Sequence, residues 1–164
     1  MDNCPADEQK RLFTLEEEQY KMDSFLSYPA GGGESIPALC LRLKTDWIAH
    51  LARECSDKIV IATLHGHVMR GLQMIFEDLG HDDFIRLDSS KEPADKILNC
   101  QILWYTRRDP DTGKVESNRL VAARSVCPSG PLKADYGWRR IERHTYTNQD
   151  LLNEVNRYPR EIKK

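Results

Sequence analysis

Residues 58–79 constrain the fold of this chain more than any other stretch. Lys58-Ile59-Val60-Ile61-Ala62-Thr63-Leu64 is a continuous β-branched run, the character of a parallel strand buried on both faces. His65-Gly66-His67 makes the turn, and Val68, Met69, Leu72, Ile75, Phe76 and Leu79 then recur at helical spacing. Gly80 is placed to end that helix in a left-handed cap. A strand running straight into a helix is half of a βα unit. The spacing therefore predicts an α/β fold, a three-layer α/β/α sandwich in partial form around a mostly parallel sheet. A histidine at the carboxyl end of such a strand, facing a helix N-terminus, sits where open α/β sheets bind anions. The expectation is a chain that handles a phosphate.

The flanks extend this pattern. Residues 8–26 are strongly charged, and Glu16-Glu17-Glu18 followed by Lys21 suggests a surface helix. Tyr28-Pro29-Ala30-Gly31-Gly32-Gly33 breaks regular structure. A second helix is expected from Ser35, an N-cap with Pro37 in the first turn, burying Ile36, Leu39, Leu43, Trp47, Ile48 and Leu51. Cys55-Ser56-Asp57 turns the chain into the strand. Beyond Gly80 the pattern is loop-like around a short Phe84-Ile85-Arg86-Leu87 piece, and residues 96–106 read as a strand. Asp109-Pro110-Asp111-Thr112-Gly113 is a tight turn, and residues 119–126 complete a hairpin with Leu120 and Val121 as anchors. Residues 1–127 thus read as the α/β domain. Residues 128–164 read as a polar extension punctuated by Pro and Gly, with one short helix near 149–156.

Bulk properties exclude several classes. A net charge of -2 and a pI near 6.2 speak against nucleic acid or an anionic membrane surface as partner. The basic pairs Arg107-Arg108, Arg139-Arg140 and Lys163-Lys164 are short and read as solvated surface. No stretch approaches the ~18 consecutive apolar residues of a membrane helix. The acidic start Met1-Asp2-Asn3-Cys4-Pro5-Ala6-Asp7-Glu8 has no signal-peptide character. Five cysteines without a C-x-x-C pair argue against a disulfide framework or a zinc site and suit a reducing, cytoplasmic setting.

Several segments together resemble the histidine phosphatase superfamily, in its phosphoglycerate mutase-like branch. They are Gly32-Gly33-Glu34-Ser35, the helix carrying Arg42, the run Ile59 to Arg70 through His65-Gly66-His67, and Asn99-Cys100-Gln101-Ile102. The resemblance covers roughly residues 30 to 106. It implies a phosphohydrolase or phosphomutase working through a phosphohistidine, with arginines and a second histidine clamping the phosphoryl oxygens. His65 matches that second histidine, and Gly66 and Arg70 would contact phosphate beside it. Glu34 and Ser35 mark the family, although helix capping explains them equally. Glu8 in Asp7-Glu8-Gln9-Lys10-Arg11 would be the acid that protonates the leaving oxygen, or a solvated charge. Arg70 is open to surface or salt-bridge duty. His67, two residues on from His65, turns away from it; His50 reads as surface, and His81 as a helix-end cation.

The family's nucleophile lies in an Arg-His-Gly motif ending an earlier strand, and no Arg-His-Gly occurs in these residues. Arg143-His144 follows charged residues instead of an apolar strand. The resemblance therefore implies the carboxyl part of such a domain, incomplete and inactive alone. The alternative is a non-catalytic phosphate-binding pseudoenzyme, or a subunit completing another chain's sheet. The implied ligand is a phosphorylated small molecule or phosphoprotein, with a homo-oligomer or complementing chain as a further partner. The phosphohistidine route needs no cofactor and no metal; a metal site on His65-x-His67 would need further ligands, and none follow at ligand spacing.

Overall fold

The helical layer is anchored where Ser35, in extended conformation, accepts the Ala38 N–H on its Oγ at 3.4 Å and starts the helix Ile36–Arg42; a computed structural model describes residues 5–29, 32–115, 118–128, 133–143 and 145–157. Cys4, Ala30, Gly31, His144, Lys163 and Lys164 lie outside the described residues. Two charged helices come first, α1 (Ala6–Leu12) and α2 (Thr14–Met22). The Ser35-capped helix is α3 (Ile36–Arg42), with Pro37 in its first turn as expected. It passes through a π-helical turn, Leu43–Ile48, into α4 (Ala49–Glu54). The wider turn rotates the apolar stripe: Ile36, Leu39 and Leu43 are buried, while Trp47 and Ile48 are only partly so.

The next helix, α5 (Gly66–Glu77), crosses α3 at Gly71. A Cβ at Gly71 would stand 3.2 Å from both Leu39 and Leu43, so glycine lets the two helices approach. Leu39, Leu43 and Leu72 form one buried cluster. Ile36, Met74 and Phe84 form a second, with Phe25 packed against it. The end of α5 differs from expectation. Asp78 takes the left-handed cap position (φ 58°), and Gly80 instead starts another helix, α6 (His81–Ser89). Residues read as loop are helical because the Asp83 carboxylate accepts the Gly80 N–H at 3.0 Å, and Phe84 and Leu87 are buried one turn apart.

The fold is α/β, but the sheet is not the expected parallel one. Strands β1 (Ile102–Thr106), β2 (Ala122–Cys127) and β3 (Ala134–Arg140) pair in the order β1-β2-β3, both pairs antiparallel. The Asp109 carboxylate closes the hairpin turn by accepting the Asp111 and Thr112 N–H groups at 2.9 Å. β1 starts later than residue 96 because Cys100 adopts φ 64° and Gln101 bonds back to Leu98. β3 falls in the stretch read as polar extension. The final helix, α7 (Asn148–Arg157), lies where a short one was expected.

The largest departure is residues 58–64. They form no strand: Ile59 is 94% and Ile61 91% exposed. Among the described residues nothing bonds the backbone of 59–64. A strand without a neighbour to take its N–H and C=O groups gains too little to hold itself in a sheet. The run is an arm beside the sheet. Its start is tied to the strand's end by the Arg107–Asp57 ion pair (3.0 Å), and Gly66 beyond it stands near Ile97.

The β2–β3 ladder carries an acid-sensitive contact. Arg124 and the Gly137 N–H hold the Asp135 carboxyl down at about 2, below its ordinary 3.8. The Thr112 and Asp111 N–H groups and Arg140 lower Asp109 too. A carboxyl depressed on folding stabilises fully above its unfolded value and loses that effect as pH falls through the folded one. The expected result is a melting temperature that is flat near neutrality and declines from about pH 4 toward pH 2. Replacing Asp135 by Asn flattens that decline, as pH-dependent calorimetry would show; an unchanged slope counts against the assignment.

Candidate functional site

His65 is the N-cap of α5, with extended backbone (φ −76°, ψ 155°). Its ring is exposed and makes no hydrogen bond to the described residues. The first helical bond runs from Met69 N–H to His65 O, so the amides of Gly66, His67 and Val68 have no acceptor within the helix. An imidazole beside unpaired first-turn amides is chemically suited to an oxyanion. This much of the expected arrangement is together.

The rest is dispersed. Arg70 points inward: it is 8% exposed, its Nη1 donates to Gln73 Oε1 and its Nη2 to Asp95 O, both at 2.6 Å. Burial lowers its pKa, opposed by Asp88, Asp95 and Glu77. Glu34 grips Arg42 with two bonds of 2.9 and 2.7 Å on the surface, and this partner holds its carboxyl below the usual range. Ser35 is buried and spent on capping α3. Glu8 lies exposed on α1. His50 is exposed; His81 bridges Asp23 (3.1 Å) and Asp82 (3.2 Å). None of these contacts reaches His65.

A second polar group was not anticipated. Glu77, 5% exposed at the end of α5, accepts the Tyr105 hydroxyl at 2.8 Å and pairs with Arg139 of β3. Burial, then the Glu77 charge, pushes the Tyr105 hydroxyl pKa well up. A phenol so held is no base, and a carboxylate so occupied is no nucleophile. The signal was available: Arg70 and Glu77 stand seven residues apart on the apolar stripe, two charges where a helix buries its face. Next to them Gln73, Glu77, Arg86, Lys96 and Arg139 line a cavity of about 380 Å³. Two of its cations are already engaged, Arg86 with Asp83 and Asp95 and Arg139 with Glu77.

Among the described residues no three His, Cys, Asp or Glu side chains converge as metal ligands. No helix of the described residues is long and apolar enough to cross a membrane. No family model matches the chain, and neither a curated protein nor a solved structure does.

Proposed function

We propose that this chain is part of a cytoplasmic histidine-phosphatase-type, phosphoglycerate mutase-like domain, which contacts a phosphate ester through His65 and the first turn of α5 but does not turn it over alone. The single observation that carries the reading is the free imidazole at the N-cap of a twelve-residue helix, preceded by an unpaired β-branched arm. The resemblance in residues 30–106 supports the phosphoryl chemistry. The ligand would be a phosphorylated small molecule or a phosphoprotein. Phosphohistidine formation needs a nucleophilic imidazole opposite the clamp, and Arg70 would have to leave Gln73 and Asp95 to reach an oxyanion.

The alternative, a non-catalytic phosphate binder or a subunit completing another sheet, draws on the arm. Ile59 and Ile61 stand almost fully in solvent, and a strand inserted beside them would bury both and complete a sheet around the site.

The test is turnover of an aryl phosphate together with the His65 ring resonances during titration with inorganic phosphate. Expected are background turnover and a saturable His65 shift that His67→Ala leaves intact. Turnover that disappears in His65→Ala would overturn the inactivity. A His65 ring blind to millimolar phosphate removes the phosphate reading itself.

A further inference from the structure

We propose that the cavity between the sheet and the helical layer binds a small carboxylic acid with an apolar body, its carboxylate held by Lys96, Gln73 and Ser125. The site is separate from His65 and does not depend on the phosphate reading.

One face of the sheet is covered by α5, where Tyr105 meets Phe76 with ring centroids 5.0 Å apart. The cavity of about 380 Å³ lies on this face, between the three strands, the end of α5 and α6. That volume falls at the small end of ligand pockets. Leu79, Leu87, Ile97 and Leu103 supply an apolar wall. Neither His65 nor the first turn of α5 is among the described residues that line it.

Two hydrogen-bond chains end at this cavity, and each begins at a group that can only donate. The Arg70 guanidinium carries no acceptor, so its 2.6 Å bond to Gln73 takes the carboxamide oxygen. The Gln73 NH2 is thereby turned away from Arg70, and Gln73 lines the cavity. The second chain starts at the Leu98 N–H, which donates to Gln101 Oε1 at 3.3 Å. Gln101 Nε2 in turn donates to Ser125 Oγ. The Ser125 O–H is left to donate elsewhere, and Ser125 lines the cavity too. Arg70 and Gln101 are both buried, so each chain fixes the group at its end. Among the described residues neither the Gln73 NH2 nor the Ser125 O–H has an acceptor.

Lys96 adds the charge. Arg86, Arg139 and Arg140 of the same lining each have carboxylate partners. The Lys96 ammonium meets only the Asp88 carbonyl among the described residues, at 3.5 Å. The inner carboxylates are taken, Glu77 by Tyr105 and Arg139, Asp95 by Ser90 and Arg86; Glu142 is exposed. Two oriented neutral donors and one unpaired cation beside an apolar wall suit an acceptor bearing a single negative charge. A carboxylate offers that, with oxygens enough for all three donors. Divalent phosphate would bring a second charge that no further unpaired cation of the lining meets.

Benzoate is the probe, and benzamide its neutral counterpart of nearly the same shape. In a titration followed by nuclear magnetic resonance, millimolar benzoate should give saturable shifts of the Gln73 side-chain NH2 and the Ser125 and Leu103 amides. Benzamide should bind about tenfold more weakly or worse. Lys96→Met should weaken benzoate by about tenfold and leave benzamide unchanged, whereas Lys96→Arg should retain most of the affinity. His65→Ala should not alter the benzoate titration, and inorganic phosphate should not displace benzoate, whatever phosphate does at His65. The absence of a saturable shift at tens of millimolar overturns the site. Equal affinity for acid and amide overturns the carboxylate assignment, and so does benzoate binding that Lys96→Met leaves untouched. Melting curves establish that each variant folds. If Lys96→Met does not, the benzoate-to-benzamide ratio in the unaltered protein decides in its place.

Discussion

Replacing Phe84 with alanine should lower the stability of this protein by about 3–5 kcal/mol. Phe84 is 1% exposed and packs with Ile36 and Met74, so one ring joins α3, α5 and α6. Phe25 lies beside it with centroids 5.4 Å apart, tying in the segment after α2. Deleting the ring removes its transfer free energy and leaves a cavity that three helices cannot easily close. The native state of a domain is stable by only about 5–15 kcal/mol, so a large fraction of the total is at stake. The melting temperature should fall by roughly 10 °C. Phe84→Leu, which retains most of the volume, should cost less than about 1.5 kcal/mol. Urea unfolding of the three proteins checks both figures. An alanine variant within 1 kcal/mol of the parent would mean that α6 is not seated on this cluster.

The reason α6 was hard to read explains where sequence reasoning stops. His81-Asp82-Asp83 looks like a polar loop, and only a cap contact with the preceding glycine makes it a first helical turn. By contrast, α3 was legible because Ser35 and Pro37 mark its start, and α5 because Val68, Met69, Leu72, Ile75 and Phe76 share one face. The β1–β2 hairpin was legible from the Asp109–Gly113 turn chemistry, whereas β3 was not. Its Ala-Asp-Tyr-Gly-Trp-Arg-Arg alternates polar and aromatic residues that only pairing with β2 organises. Residues 58–64 have strong local preference for a strand, but strand formation is non-local and no neighbour is supplied among the described residues. For the site, the placement of His65 at the head of α5 was readable from the turn. The inward path of Arg70 was not, because its partners are a side chain one turn away and a carbonyl 25 residues on.

Glu77→Ala should have the next largest effect, about 2–3 kcal/mol of stability. Its carboxylate joins α5 to both ends of the sheet's covered face, through the Tyr105 hydroxyl on β1 and Arg139 on β3. Removing it leaves the half-buried Tyr105 hydroxyl without that acceptor, which carries much of the desolvation cost of an unmet donor. The Arg139 side chain is 51% exposed, so water takes over much of its solvation and the full cost of breaking a buried pair does not apply. The two contributions separate experimentally. Tyr105→Phe in the Glu77→Ala background should recover about 1 kcal/mol, because the orphaned hydroxyl is gone. Arg139→Ala alone should cost less than Glu77→Ala, since Tyr105 still has its acceptor. Glu77→Gln keeps an acceptor for Tyr105 and loses only the charge, so it should fall between the parent and the alanine variant. Chemical denaturation of the full cycle measures the coupling. Additive single effects would show that Glu77 and Tyr105 do not share the bond that joins α5 to the sheet.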